Sequence, residues 1–518
     1  MFELPEGDVN YSNSRKIRHG LTLAVAARIQ YLSNKITAMK NRIVHTAQVL
    51  MLSLTLTACH SFTTLPDGIS FKGERIVTDE IAFVSDTTWV DGCGKRHIEQ
   101  AIFDDVFRII AASKKLIVLD MFLYNDFQGP TPETTRALAD ELTSALIAKK
   151  IERPEIEIVV ITDPVNVLYG SLPSPFFERL SAAGIRVVIT DLRKLRDSNT
   201  VYSFFWRLFI KPFGNSAATT LPNPIGPRRV SVRSYLELIN FKANHRKVLI
   251  ADRGDDYVGF VSSANPHDGS SAHRNAAIRF TGPAVLDLLA TENAVLAFSG
   301  EPIVASDQLA LDRPLDPLQS TGSSATIQIV TEGKIREAIL THLASVGTGA
   351  KVDLMMFYLS DRAVITALKL AHQHGADLRV LLDPNKDAFG REKNGIPNRP
   401  VARELVEAGV TVRWCRTLGE QCHTKMLMIH DPSGTAVIIA GSANFTRRNL
   451  EDFNLETNVV VEGHSDRVPF VDARKYFDDA WNNTDNRQYS VDYDQYNDSS
   501  WWRRQLYLFM EWSGISTF

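Results

Sequence analysis

The sequence predicts an α/β protein made of two similar halves, with helices on the faces of mixed, mostly parallel sheets. Predicted strands alternate with predicted helices over residues 76–300, and the same order returns over residues 323–485. Such alternation is typical of parallel strands joined by helical crossovers. Each half also carries a His-x-Lys triplet, followed at nearly equal distance by Ser-x-Asn. The repeat indicates one site to which both halves contribute a histidine and a cation.

Apolar periodicity and short buried-strand runs predict the individual elements. Those of the first half are helix Ile98–Ala112, strand Lys115–Tyr124, helix Glu133–Lys149, strand Ile156–Thr162, helix Phe176–Ala183 and strand Ile185–Ile189. Those of the second half are helix Lys334–Ala344, strand Val352–Tyr358, helix Ala363–His374, strand Asp377–Leu382, helix Val401–Ala408 and strand Val410–Trp414. In each half the His-x-Lys strand, two further strands and a long helix complete the pattern.

Three segments fall outside the repeat. Residues 301–322 are rich in Pro, Asp and Ser and predict a linker between the halves. Residues 191–240 are a surplus of the first half, in which aromatic and basic residues alternate. They predict either a membrane-facing or acyl-chain-facing segment, or an insertion packed on its own domain. The tail 486–518 becomes apolar near its end and predicts a terminal helix.

Bulk composition sets limits on function. The 518 residues suffice for two to three domains, and 44% hydrophobic with 23% charged residues is typical of a folded globular protein. The net charge of −3 gives no global basic field for non-specific nucleic-acid binding. No nucleic-acid partner is therefore expected, although a local cationic groove can exist in a neutral protein.

The N-terminal region predicts export. Residues 43–58 are mostly apolar, follow Lys40 and Arg42, and end in Leu-Thr-Ala before Cys59. This pattern resembles a bacterial lipoprotein signal, in which the cysteine carries the lipid; a buried or membrane-spanning helix is the alternative, although the run is short for a span. The predicted division is an upstream segment over 1–38, a signal peptide over 39–58 and a tether over 59–75. The upstream segment is either translated or added by a wrong choice of start codon.

We therefore expect a lipid-anchored protein that faces the periplasm, with the outer membrane preferred because His60, not Asp, follows Cys59. An exported protein can form disulfides, so a local bridge between Cys415 and Cys422 is one option and would leave Cys93 over. No cysteine spacing is typical of a zinc site, and neither a metal nor another cofactor is expected.

The paired triplets are suited to phosphoryl chemistry. In a strand, the His and Lys of His-x-Lys point to the same face. Histidine acts as nucleophile or proton donor, lysine holds anionic oxygens, and Ser and Asn supply neutral donors. The candidate catalytic residues are His245, Lys247, Asn265, His423, Lys425 and Asn444, supported by Asp252, Ser263, Asn275, Asp431, Ser442 and Glu456.

Over residues 76–485 the chain resembles the phospholipase D superfamily, whose mark is His-x-Lys-x4-Asp twice, each copy followed by Ser-x-Asn. The resemblance implies two α/β domains packed as a pseudo-twofold pair, and a monomer that needs no partner chain to complete its site. It also implies that one histidine attacks phosphorus to form a phosphohistidine, while the other protonates the leaving alcohol and then acts as base.

Two departures from that pattern concern the supporting residues. His430 stands where the second acid is expected, and Asp431 follows, which predicts one extra residue after Lys425, such as a bulge. Aligning the late strands places Asn275 opposite Glu456. If each side chain backs the histidine of its own half, His245 beside an amide stays neutral and is the nucleophile. His423 beside a carboxylate is then the proton donor.

Four functions remain in competition. The first choice is a phospholipase D-type phosphodiesterase that hydrolyses phospholipid headgroups at a membrane surface. The alternative is a transphosphatidylase of the cardiolipin synthase type, with a lipid alcohol as acceptor. An exported nuclease of the same superfamily and a degenerate binding module rank lower, the latter because both His-Lys pairs are intact.

Overall fold

The structure is a computed structural model that describes Lys35 and residues 65–518, apart from short gaps. The gaps are residues 79, 130, 133, 214–217, 224, 225, 227, 255, 306–324, 389 and 517. The predictions for segment 1–38 (apart from Lys35), signal peptide 39–58, Cys59 and most of linker 301–322 therefore lie outside the described residues. Among the helices that are described, none is long and apolar enough to cross a membrane.

Strands alternate with helices along most of the described chain. The strands are β1 (Ile76–Thr78), β2 (Ile81–Val90), β3 (Arg96–Glu99), β4 (Leu116–Met121), β5 (Glu157–Thr162), β6 (Arg186–Ile189), β7 (Thr219–Leu221), β8 (Val230–Ser231), β9 (Lys247–Arg253), β10 (Asp256–Ser262), β11 (Asn275–Thr281), β12 (Ala325–Thr331), β13 (Lys351–Met356), β14 (Asp377–Leu382), β15 (Thr411–Cys415), β16 (Lys425–His430), β17 (Thr435–Gly441), β18 (Thr457–His464) and β19 (Ser490–Asp492). The helices are α1 (Ile102–Ala112), α2 (Leu138–Glu152), α3 (Pro175–Ala182), α4 (Thr200–Phe205), α5 (Val232–Leu238), α6 (Ala284–Ser299), α7 (Gly333–Ala344), α8 (Arg362–Gln373), α9 (Asn398–Glu407), α10 (Arg447–Leu450), α11 (Val468–Asn482) and α12 (Trp501–Ser513).

Each half folds around one large mixed sheet. The first sheet has the order β3-β2-β11-β10-β9-β4-β5-β6, and the second has the order β1-β12-β18-β17-β16-β13-β14-β15-β19. The central strands are buried along their whole length and mostly apolar; in β4 the exception is the buried Asp120. The His-x-Lys strands β9 and β16 occupy matching positions, next to β4 and β13. The predicted α/β class with mixed sheets is therefore confirmed.

The expectation of mostly parallel pairing is wrong. Among the described strands, only β4–β5–β6 and β13–β14–β15 pair in parallel. The later strands of each half, β9–β10–β11 and β16–β17–β18, are antiparallel neighbours. They follow one another without an intervening crossover helix, which favours antiparallel pairing.

The two sheets share an apolar core. One buried cluster combines side chains from both sheets with the inner faces of α6 and α11. The outer faces are covered separately, by α1–α3 on the first sheet and by α7–α9 and α12 on the second. The first described strand, β1, lies at the start of the predicted first domain but pairs with β12 of the second half. This shared core holds the two His-x-Lys strands at a fixed mutual position.

Candidate active site

Each motif histidine is held by the backbone of the opposite half. The His245 N–H donates to the Leu455 carbonyl at 2.8 Å, and the His423 N–H donates to the Arg274 carbonyl at 2.8 Å. Leu455 directly precedes Glu456, and Arg274 directly precedes Asn275. Because the two contacts are reciprocal, the halves meet around the histidines as a pseudo-twofold pair.

The imidazole partners are exchanged between the halves. His245 Nδ1 lies 3.0 Å from Glu456 Oε2, whereas His423 Nδ1 lies 3.1 Å from Asn275 Oδ1. The expectation that each side chain backs the histidine of its own half is therefore wrong. The physical reason is that Glu456 and Asn275 directly follow Leu455 and Arg274, the residues that pair with the other half's histidine segment.

Glu456 is a fully buried carboxylate with several donors. Ser442 Oγ donates to its Oε2 at 2.5 Å, and the Asn449 amide donates to its Oε1. Burial alone would raise the pKa of Glu456, but the nearby imidazole of His245 and the Lys247 ammonium lower it below its ordinary value. Glu456 is therefore an anion that accepts the Nδ1–H of His245.

Asn275 gives His423 a neutral partner. The Asn275 Oδ1 accepts from Ser263 Oγ at 3.0 Å as well as from the His423 ring. Its Nδ2 donates to the carbonyl of His273 at 3.3 Å, which fixes the orientation of the amide. Ser263 and Ser442 thus perform the same task in the two halves, each donating to the group behind a histidine.

Both lysines lie against an aromatic ring that sequence reasoning missed. Lys247 Nζ is 4.9 Å from the centroid of Phe122, and Lys425 Nζ is 5.0 Å from that of Phe357. The same rings contact the histidines, with centroid distances of 4.6 Å to His245 and 4.9 Å to His423. Each phenylalanine follows a Met at the end of β4 or β13, so the repeated Met-Phe was an available signal.

Burial lowers the pKa values of the four motif side chains. Burial lowers the pKa of His245 to about 4, although Glu456 opposes this, and burial lowers the pKa of Lys247 to about 7. Burial also holds the pKa values of His423 and Lys425 well below their ordinary values, and the cations of the first half contribute. Because the two lysines repel each other, an anion bound between them would favour their charged forms.

The asparagines of the two Ser-x-Asn motifs differ in their contacts. Asn265 Oδ1 accepts the Leu123 N–H at 3.2 Å. Asn444 Oδ1 is buried and has no hydrogen-bond partner within the described residues. Asn444 therefore retains hydrogen-bonding capacity for a bound molecule.

Two buried aspartates position the residues before the histidines. Asp163 Oδ2 accepts the Asn244 N–H at 2.7 Å, and Asp383 Oδ2 accepts the Cys422 N–H at 2.8 Å. Burial raises the pKa of both carboxyls to about 7, against the opposing effect of the backbone donors. Asp163 directly follows β5, and Asp383 directly follows β14, the matching strand of the second half. Sequence reasoning did not use this recurrence.

Comparisons with known proteins agree with this geometry. Residues 343–481, which contain the second triplet, match the family model described as cardiolipin synthase, PLD-like domain. The cardiolipin synthase of Geobacillus kaustophilus (strain HTA426) is 27% identical over 252 residues, which cover 46% of this chain and 46% of that protein. The cardiolipin synthase of Geobacillus thermodenitrificans (strain NG80-2) is 26% identical over an equal share. Residues 343–481 are therefore similar to a phospholipase D-like domain.

The match extends over less than half of the length of these curated relatives. A crystal structure of phosphatidylserine synthase from Haemophilus influenzae Rd KW20 is similar to the chain with a TM-score of 0.51. The two sequences are 10% identical, and the likeness covers 85% of this chain and 94% of that one. This likeness confirms the predicted fold.

The acids that follow the two phospholipase D-type triplets lie away from the histidines. Asp252 is five residues along β9 from Lys247, or about 17 Å at ordinary strand rise. Its carboxylate accepts backbone N–H groups of Lys114, Lys115 and Leu116 at 2.7–3.0 Å. Asp252 therefore anchors the start of β4.

Asp431 has no such role, and the bulge expected after Lys425 is absent. β16 pairs with β13 in continuous register from Lys425–Met356 to His430–Lys351, which puts His430 in the place of Asp252. Asp431 lies in the exposed turn that follows, where it accepts the Ser433 N–H at 2.8 Å. The extra residue of the second half lies in this turn. It gives Asp431 the same distance in sequence to Asn444 as Asp252 has to Asn265, although the two acids do not occupy matching positions.

A disulfide joins Cys415 and Cys422 directly before His423. The first half has a hydrogen bond at the matching place, from Asn244 Nδ2 to Thr190 Oγ1 at 3.0 Å. The two cross-links occupy corresponding positions. Cys415 follows the residue that pairs with the last residue of β14, and Thr190 follows the residue that pairs with the last residue of β5. Within the described residues, Cys93 is the free cysteine, and no His/Cys/Asp/Glu group could hold a metal ion.

Proposed function

We propose that this protein transfers a phosphatidyl group from a phospholipid phosphodiester to an alcohol, as a transphosphatidylase of the cardiolipin synthase type. One observation carries the proposal: two His-Lys pairs face one site, and each histidine is fixed by the opposite half through Glu456 or Asn275. The family description and the names of the curated relatives favour transfer over the hydrolysis that the sequence first suggested. Hydrolysis is the same reaction with water as acceptor.

In the first step, Nε2 of His245 attacks phosphorus and the bond to the headgroup oxygen breaks. That oxygen takes its proton from His423. In the second step, an acceptor hydroxyl attacks phosphorus, gives its proton to His423 and breaks the N–P bond. Each proton transfer contributes about 10²–10⁴-fold to the rate.

The observed partners of the histidines support the same roles as the sequence-based hypothesis, but for a different reason, because the carboxylate lies behind His245 and the amide behind His423. Attack by Nε2 leaves positive charge on the His245 ring, and the Glu456 carboxylate stabilises that charge through Nδ1–H. The amide of Asn275 orients His423 without adding negative charge, so protonated His423 is the stronger acid of the two. His245 is therefore the proposed nucleophile and His423 the proposed proton donor.

Lys247 and Lys425 are the proposed anchors for the phosphoryl oxygens, together with the side chains of Asn265 and Asn444. A bound phosphodiester anion raises the pKa of both lysines, because opposite charge favours their protonated forms. The ammonium groups and amide donors then stabilise the charge that grows on these oxygens in the transition state.

A third lysine beside the site supports an anionic lipid as acceptor. Lys393 Nζ lies 4.4 Å from the centroid of Tyr358 and 5.5 Å from that of Phe357, the ring that contacts His423. No carboxylate pairs with Lys393 within the described residues, and burial lowers its pKa to about 8. A second phosphate, such as that of an acceptor phospholipid, would find a cation at this place.

The test is incubation with phosphatidylglycerol vesicles and product analysis by mass spectrometry. Transfer predicts cardiolipin with release of glycerol, whereas hydrolysis predicts phosphatidic acid; predominance of phosphatidic acid would overturn the proposed acceptor. His245→Ala should abolish either product. Lys393→Met should lower transfer relative to hydrolysis, with Lys386→Met as the matched control from the same loop. DNA cleavage with steep salt dependence and no lipid product would instead identify a nuclease.

Export remains a prediction, to which the disulfide gives support. Structural disulfides persist in oxidising compartments and are rare in the cytosol. The Cys415–Cys422 bridge therefore fits a protein that acts outside the cytoplasm. Intact mass of the membrane-extracted protein would detect lipid on Cys59.

A further inference from the structure

Two helical segments of this protein turn their apolar faces outward. The first, called here the insertion helix, comprises α4 and the turns that continue it to residue 213. Its exposed apolar side chains are Val201, Phe205, Leu208, Phe209 and Phe213. Their spacing is that of one helix face, while Ser203 and Trp206 lie buried on the other. An exposed stripe of this kind marks an interaction surface.

The second segment is α12. Its exposed side chains include Trp501, Trp502, Phe509 and Trp512, and Trp512 is 79% exposed. The spacing again places them on one face, which extends about 16 Å along the helix at ordinary rise. The opposite face holds α12 to the second half. There, Tyr507 Oη donates to the Ser360 carbonyl at 3.1 Å, and Glu511 accepts from Ser360 Oγ at 2.9 Å.

The two exposed stripes are neighbours. Gly514, just after α12, lies against Ser198, just before the insertion helix, so closely that a Cβ on Gly514 would be 1.7 Å from the Ser198 carbonyl. Arg448 reinforces the junction, since it donates to the Gly514 carbonyl at 3.1 Å and lies 4.9 Å from the Phe241 ring. The exposed apolar residues of the insertion helix and α12 together are called the aromatic face.

Basic residues predominate around the aromatic face, although Arg207 pairs with Asp197 at 2.5 Å and Arg503 pairs with Asp498 at 2.7 Å. Residues 198–236 contain Arg207, Lys211, Arg228, Arg229 and Arg233 but no Asp or Glu. α12 adds Arg503 and Arg504, with Glu511 as its one acid. Basic segments are attracted to anionic lipid surfaces, and Trp and Phe side chains partition into the headgroup region. The combination is complementary to an anionic membrane.

The aromatic face is connected to the active site on both sides. The insertion returns through Phe241 and Lys242 to His245. α10, which follows Asn444, contacts α12 through the Arg447 N–H, which donates to Glu511 at 3.1 Å. A cavity of about 530 Å³ lies on the insertion side and is lined in part by Trp206, Lys211 and Lys242.

We propose that the aromatic face docks the protein on an anionic lipid surface and so presents the active site to membrane-bound substrate. The proposal deepens the proposed function, because it supplies the lipid-facing surface, but docking itself does not require turnover. A second copy of the chain is the competing occupant, and protein–protein contact through the same residues is an outcome of the test.

The test uses the full chain with vesicles of phosphatidylcholine and phosphatidylglycerol, or of phosphatidylcholine alone, whose acyl chains carry bromine. Bromine quenches nearby tryptophan, so the signal reports Trp501, Trp502 and Trp512 whatever the N-terminal segment does. We expect strong quenching on anionic vesicles and at least a tenfold weaker response on neutral ones. Phe209→Ser/Phe213→Ser should reduce quenching at least tenfold, and Ile151→Ser/Val468→Ser, two exposed positions elsewhere, should not.

Two further results separate the explanations. Trp501→Phe/Trp502→Phe/Trp512→Phe should lose the quenching signal but keep sedimentation with anionic vesicles. If Phe209→Ser/Phe213→Ser dissociates a dimer and leaves quenching unchanged, the occupant is a second copy and the membrane proposal is overturned. Activity on a short-chain soluble phospholipid should be unchanged in Phe209→Ser/Phe213→Ser. Docking without any lipid turnover would refute the proposed function and leave the docking surface in place.

Discussion

The two halves of this protein place the same side chains in the same frame but surround them differently. In both halves the residue before the motif histidine donates its backbone N–H to a buried aspartate. In both halves a phenylalanine also packs against the motif lysine and histidine. The group behind the histidine is a carboxylate for His245 and an amide for His423. The two halves thus share one geometry, and the difference behind the histidines is the basis for proposing His245 as nucleophile and His423 as proton donor.

Other differences lie farther from the reacting atoms. Where the second half has the Cys415–Cys422 disulfide, the first has a hydrogen bond between Asn244 and Thr190. Where the first half has the buried acid Asp252, the second has His430, whose two ring nitrogens lack partners within the described residues. These pairs occupy matching positions, so the sheet tolerates different chemistry there.

The largest effect on activity should come from removing either histidine. A substrate whose leaving group needs no proton then distinguishes the roles of the two histidines. On ordinary phospholipid, His245→Ala and His423→Ala should each lower the rate by at least about 10²–10⁴-fold. On a phosphatidyl ester of p-nitrophenol, His423→Ala should regain a burst of p-nitrophenol, measured by stopped-flow absorbance. His245→Ala should show none. The reverse pattern, or a phosphate mapped to His423, would exchange the two roles.

A smaller effect is expected from exchanging the groups behind the rings. Glu456→Gln removes the charge that stabilises the cationic His245 ring and should lower kcat about 10- to 100-fold at all pH values. Asn275→Asp adds a carboxylate behind His423 and raises its pKa, so activity should persist to higher pH. The pH dependence of kcat for both variants checks this. An unchanged alkaline limb in Asn275→Asp would count against His423 as the acid.

The smallest change in activity, but a clear change in stability, is expected at the two acids after the motifs. Asp252→Ala leaves several backbone N–H groups of β4 unpaired and should lower the free energy of unfolding by about 3 kcal/mol. Asp431→Ala, in an exposed turn, should change it by less than about 0.5 kcal/mol. Urea denaturation of both variants measures the difference. Equal losses would show that Asp431 has a structural role like that of Asp252.

Much of the site could be predicted because the motif residues are few and their spacing repeats. That spacing predicts the histidines, lysines and serines of both motifs, and hydrogen bonds and ring contacts join them in two matching sets, one around each histidine. Asp163 and Asp383 were missed because they lie far from the motifs in sequence and approach them only across the sheet. Asp431 was chosen wrongly because a longer turn preserved its distance to Asn444.

Periodicity and motif spacing are local properties, so the α/β class, the repeat and the chemical types at the site could be predicted from the sequence. The pairing of Glu456 with His245 and of Asn275 with His423 could not, because it arises between the two halves. Each partner directly follows the residue whose backbone pairs with the other half, and an alignment of the halves within one chain cannot show that pairing. Which histidine has the carboxylate therefore depends on how the two sheets pack.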